Sequence, residues 1–220
     1  MRNALALACL ALLACATGTP AGAGLALRQE YSPFAQAAPA RELPISPAAR
    51  AEAVALARKL VGRTSVEVGG RRYPSDCTGL VLGVYAAVGL DLLSSARPED
   101  NGVTAIYRFA QRHGRVYQGG WPASGDLVFF RDTYDRNRDG RLSEGLTHVG
   151  IVEETGPDGT VVVIHRVKRG VVRYRMNLSH PDLRSAGGER LNDYLRAASA
   201  GRPAALTGQL FAGYAAFLGD

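Results

Sequence analysis

The chain has 220 residues, 46% of them hydrophobic and 21% charged, with 26 Lys and Arg against 20 Asp and Glu for a formal charge of +6. That apolar share excludes an intrinsically disordered chain and suits one globular domain with short extensions. Of the 26 basic residues 24 are Arg, scattered singly or in pairs such as Arg71-Arg72 with no basic stripe, which argues against nucleic acid as a partner.

The N-terminus reads as an address. Residues 1–14 place Arg2 before the apolar run Ala4–Leu13, too short to span a bilayer, the pattern of a bacterial-type signal peptide. The run ends in Leu12-Leu13-Ala14-Cys15, which resembles a lipobox, where cleavage precedes a cysteine that is then lipidated. On that route Cys15 anchors the chain to a membrane, whereas ordinary cleavage near Ala16 or Ala23 releases it. Both routes export the protein, to the cell envelope or periplasm. Cys9 leaves with the signal and Cys15 is lipidated or removed, so Cys77 is the lone cysteine of the folded domain and no internal disulfide is possible. A lone thiol in an oxidising compartment is a liability unless buried or used, and this raises its standing as a nucleophile.

Residues 15–45 are rich in Ala, Gly and Pro and read as a flexible tether. The domain is expected over 46–180. Ser46-Pro47 caps a helix whose apolar face is Ala53, Val54, Ala57, Leu60 and Val61, stopping at Gly62. Thr64–Tyr73 reads as a short strand and turn around Gly69-Gly70. A second helix runs from Cys77 to about Val88, and a third from Thr104 to His113. Then the period changes to that of strands at Gly125–Phe130, Thr147–Glu154, Thr160–Val167 and Val171–Met176, separated by turns at Gly156-Pro157-Asp158-Gly159 and Arg169-Gly170. Helices followed by an antiparallel meander predict an α+β fold. Residues 181–220 are expected to form a partly helical C-terminal extension, with a helix over Leu206–Leu218 weakened by Gly208 and Gly213.

Three side chains stand out for chemistry. Cys77 opens the second helix, where the aligned N–H groups favour a thiolate and can hold an oxyanion. His148 and His165 lie in adjacent apolar strands. If those strands pair through an even loop, both imidazoles share a face, while an odd loop separates them unless a bulge intervenes. On one face, His148 deprotonates Cys77 and His165 orients His148.

The motifs Asp76-Cys77-Thr78-Gly79-Leu80-Val81, Ser124-Gly125-Asp126-Leu127-Val128-Phe129-Phe130, His148-Val149-Gly150-Ile151-Val152 and Ile164-His165, in that order, resemble those of NlpC-type cell-wall peptidases over about residues 46–176. The resemblance implies a papain-like fold in which Cys77 is nucleophile, His148 base and His165 its orienting partner. It further implies cleavage of an amide bond in peptidoglycan stem peptides through a thioester, with no cofactor for catalysis and a monomer acting on wall peptides. The chain departs from the family at Ser65-Val66-Glu67-Val68-Gly69-Gly70, where members carry a Tyr before the Gly-Gly; Tyr73 is the nearby candidate for its place. That departure keeps a second function class in view, a catalytically degenerate lipoprotein that binds or scaffolds the wall. Asp126 is expected to be structural, Tyr117 and Trp121 to pack in the core, and His113 and His180 to lie at the surface.

A further departure is the insertion between Phe130 and Thr147. Asp135, Asn137, Asp139 and Gly140 follow the first half of a calcium loop. The twelfth position from Asp135 is Leu146, so the EF-hand Glu is missing and Glu144, Asp132 or Ser143 has to complete the shell. Asp135, Asn137, Asp139, Arg141 through its carbonyl and Glu144 are the expected ligands of a structural Ca²⁺, against the alternative of a polar hairpin tip.

Overall fold

The computed structural model describes residues 45–199 and 202–217; the expected signal segment, Cys15 and the tether through residue 44 lie outside them. The first described helix, α1 (Pro47–Leu60), starts where Ser46 Oγ accepts the Ala49 N–H at 3.2 Å, and it buries Ala53, Val54, Ala57 and Leu60. A two-stranded hairpin follows, β1 (Val66–Val68) and β2 (Arg71–Tyr73), turning at Gly69-Gly70. Helix α2 (Cys77–Ala87) is capped by Asp76, whose carboxylate accepts the Gly79 N–H at 2.8 Å. The chain enters α2 so tightly that a Cβ on Gly79 would stand 1.9 Å from the Pro74 carbonyl oxygen, so only glycine fits there. Helix α3 (Gly102–His113) begins two residues before the expected Thr104, because Asn101 Oδ1 accepts both the Val103 and Thr104 N–H groups.

The remaining elements are β3 (Arg115–Tyr117), β4 (Leu127–Arg131), β5 (Leu146–Thr155), β6 (Thr160–Val167), β7 (Gly170–Asn177), the short strands β8 (Ser185–Ala186), β9 (Glu189–Arg190), β10 (Tyr194–Arg196) and β11 (Ala205–Leu206), a one-turn helix α4 (Thr207–Leu210), and β12 (Phe211–Ala216). Six of the strands form one antiparallel sheet in the order β3-β12-β4-β5-β6-β7. The expected meander is its β4-β5-β6-β7 part.

The expected helix over Leu206–Leu218 is corrected by the structure: only Thr207–Leu210 is helical, and Phe211–Ala216 is a strand. Glycines at 208 and 213 weaken the helix, and the gap between β3 and β4 lets this segment pair on both edges and bury Tyr214 to 1%. Phe211–Ala216, within the expected C-terminal extension, therefore completes the main sheet.

Two cores follow from the alternation of β4–β6. Leu127, Phe129, Val149, Ile151 and Ile164 face Leu80, Val81 and Val84 of α2 and Ile106 and Phe109 of α3. Val128, Phe130, Val152 and Val163 face the other way, onto Met176, Leu210 and Tyr214. With both faces covered, β4 is buried at four consecutive positions, Leu127–Phe130. Each such side chain contributes about 1.5–3 kcal/mol on burial. Helices α1 to α3 on one face of an antiparallel sheet make the expected α+β fold.

Candidate active site

Cys77 is the first residue of α2, half-buried against the helix-side core. Its thiol does not have the depressed pKa expected of a helix N-terminus. Burial pushes it up to about 11 and the neighbouring Asp76 carboxylate adds to this, outweighing the N–H groups of Val149, Thr78 and Cys77 itself that point at the sulfur. Of the orphan N–H groups at this helix start, the Gly79 one is taken by Asp76.

His148 and His165 are brought together. His148 Nε2 and His165 Nδ1 lie 2.7 Å apart, with the rings edge to face. The expected parity rule holds here through its exception. At the hairpin end Thr155 pairs with Val161, a register that, continued, would put His165 opposite Ile151 and on the other face from His148. One extra residue, Glu153, bulges out of β5 and shifts the pairing to Ile151 with Ile164, so His165 falls opposite Gly150, two residues from His148 and on its face. The Glu153 carboxylate is buried and holds Arg58 Nε of α1 at 2.7 Å and Arg173 Nη2 of β7 at 2.9 Å. Hydrogen bonding to Arg173 holds its carboxyl below the usual range. Gly150 leaves the room the pair needs, since a Cβ there would lie 2.5 Å from Val163 Cγ1 and 3.1 Å from His165 Cβ.

Both rings are kept neutral. Burial lowers His148 to about 4, with Asp76 opposing, and burial and the neighbouring His148 hold His165 well below its ordinary value. His165 packs edge-on against Tyr174, and its Nε2 is buried without a hydrogen-bond partner among the described residues.

Cys77 and His148 line one cavity of ≈ 520 Å³, together with Asp76, Asn101, Thr133, Tyr134, Arg166 and Lys168. Sequence reasoning did not pick out Asn101, Tyr134, Arg166 or Lys168. The Asp100-Asn101-Gly102 turn before α3 and the basic run after His165 were the available signals. Tyr73, the candidate for the missing family Tyr, is not among the lining residues; it packs on α2 at Gly83 under Arg71.

Asp126 is structural as expected: buried, it accepts the Ala123 N–H at 2.9 Å and the Tyr117 hydroxyl and faces Arg50 at 3.3 Å. Tyr117 stacks on Tyr214, but Trp121, expected in the core, is 65% exposed. His180 is exposed, whereas His113 is half-buried against Phe109 and Ser95.

The insertion forms a closed loop between β4 and β5. Asp132 Oδ1 accepts the N–H groups of Glu144 and Gly145 at 2.8 and 3.1 Å, so Asp132 serves as the loop's clasp. Asp135, Asp139 and Glu144 converge, with one carboxylate oxygen from each within 4.8 Å of the others.

Residues 68–166 match the CHAP domain family. Among solved structures, one described as similar to a lipoprotein of the NLP/P60 family, from Staphylococcus aureus, is 18% identical with a TM-score of 0.39, covering 82% of this chain and 45% of that one. This chain thus spans under half the length of that protein. Comparison with curated proteins gives no match.

Proposed function

We propose, from the match of residues 68–166 to the CHAP domain family and the resemblance to NlpC-type cell-wall peptidases, that the protein is an exported cysteine hydrolase cleaving an amide bond in peptidoglycan stem peptides. The observation that carries the reading is a thiol at a helix start sharing one cavity with a histidine whose far nitrogen is held at 2.7 Å by a second histidine. Export, and anchoring through Cys15, rest on the leader sequence.

With the thiol up at about 11 and His148 down at about 4, both groups are neutral at pH 7, and the thiolate fraction is about 10⁻⁴. Proton transfer therefore accompanies attack. The Cys77 sulfur bonds to the amide carbonyl carbon as His148 Nδ1 takes its proton, and His148 Nε2–H donates to His165 Nδ1, which selects that tautomer. The Asp76 carboxylate favours the imidazolium so formed. Backbone N–H groups at the start of α2 stabilise the oxyanion. The imidazolium returns the proton to the departing amine as the C–N bond breaks, leaving a thioester. His148 then activates a water that releases the acid and restores the thiol.

The raised thiol favours a second reading, a wall-binding domain without catalysis. Release of new amino groups from purified peptidoglycan separates the two. The hydrolase reading expects release by the wild type, none above background by Cys77→Ala, and a loss of about 10²–10⁴-fold in His148→Ala. Wild-type and Cys77→Ala proteins that release amines equally, or bind wall equally with no release, refute it.

A further inference from the structure

We propose that the β4–β5 loop is a calcium site built from the carboxylates of Asp135, Asp139 and Glu144, with the Asn137 amide oxygen and the Arg141 carbonyl completing the shell. The proposal does not rest on the hydrolase reading.

Convergence of three acids is one observation. The second is how two of them are held. Asp135 gives one oxygen, Oδ2, to Arg202 at 3.3 Å and to the Gly140 N–H at 3.0 Å. Glu144 gives Oε2 to Arg136 at 3.5 Å. Their other oxygens, Asp135 Oδ1 and Glu144 Oε1, are buried with no hydrogen-bond partner among the described residues, and the Glu144 side chain is only 3% exposed. A buried carboxylate oxygen without a donor is costly, and a cation is the partner that relieves it. The arginines neutralise one oxygen of each of these two acids and leave the other without a donor.

Size and donor chemistry select the ion. The oxygens lie within 4.8 Å of one another, a span bridged by one ion at the calcium–oxygen distance of about 2.3–2.6 Å. Three carboxylates with an amide and a carbonyl oxygen supply about five ligands, and water fills the rest of a shell of about six to eight. All are hard oxygen donors, and the five ligand residues hold no histidine or cysteine that would favour zinc.

The loop joins the two sides of the cavity. Thr133 donates its N–H to Thr147 Oγ1 at 2.9 Å, and Thr133 and Tyr134 on one limb and Thr147 and His148 on the other all line the cavity. A bound ion cross-links the loop between those limbs and holds the rim closed.

The test is calorimetric titration of the purified full chain with Ca²⁺ in metal-stripped buffer, beside trypsin digestion, since exposed Arg136, Arg138 and Arg141 put cleavage sites inside the loop. The expected result is one site with a dissociation constant of about 10⁻⁴ M or tighter, preferring Ca²⁺ over Mg²⁺. Binding should weaken at least about 10-fold in Glu144→Gln, and Ca²⁺ should slow wild-type cleavage at those arginines, an effect lost in the variant. Asp139→Asn, at an exposed position, carries the same expectation if Glu144→Gln fails to fold. No saturable heat and no protection up to about 10 mM Ca²⁺, equal affinity for Mg²⁺, or unchanged binding in the folded variants overturns the proposal.

Discussion

Lowering the pH should destabilise this protein through His148 before the paired carboxylate of Asp100 titrates. Burial holds the folded ring at about 4, against about 6.5 in an unfolded chain. Between those values the unfolded state binds a proton that the folded state refuses, so stability falls as pH falls through this window and is fully present only above about 6.5. A tenfold difference in proton affinity between the two states is worth about 1.36 kcal/mol. Integrated from pH 7 to 4.5, His148 alone contributes a loss of about 2 kcal/mol, and about 3 kcal/mol in full below pH 4. Asp100, held down to about 2 by Arg108, loses its contribution only at lower pH. Urea unfolding at pH 7 and at pH 4.5 should therefore give a drop in wild type larger by about 2 kcal/mol than in His148→Gln, which cannot titrate. His165, depressed well below its ordinary value in the same direction, adds a further loss common to both proteins. Parallel losses in the two proteins would show that the His148 ring is not held neutral by the fold and would refute the reasoning.

Two other perturbations probe what brings the histidines together. Replacing Glu153 by Ala leaves Arg58 and Arg173 without their shared carboxylate. Because both arginines are about half exposed, the expected loss is about 2 kcal/mol, a fall in Tm of about 4–8 °C by scanning calorimetry. A fall under about 1 °C would show that the triad does not hold the bulge. Gly150→Ala forces a methyl to 2.5 Å from Val163 Cγ1 and should be destabilised by about 1–3 kcal/mol in urea unfolding. A variant as stable as wild type would mean that β5 and β6 have more room than the structure shows.

Much of the fold is legible locally. Ser46-Pro47, Asp76 and the run of apolar residues at helical spacing mark α1 and α2 because capping and burial act over a few residues. The strands β4 to β7 show in the sequence because each carries a dense apolar run between turn residues. The final strand is not legible, since Phe211–Ala216 is a poor helix and only an ordinary strand by itself. Only the open edges of β3 and β4 make it one. Trp121 likewise reads as core by type, but among the described residues it is left largely exposed.

The same division runs through the site. Residue types and order alone single out Cys77, His148 and His165, because a lone cysteine and paired histidines are chemically conspicuous wherever they fall. Whether the two imidazoles meet depends on a single extra residue in β5 and on a glycine opposite His165, and a register is a relation between strands that no single strand encodes. The protonation states, too, are decided by the tertiary structure. A helix N-terminus lowers a thiol's pKa, but the desolvation of Cys77 comes from groups that meet it only on folding, and here, with the adjacent Asp76 carboxylate adding to it, desolvation wins.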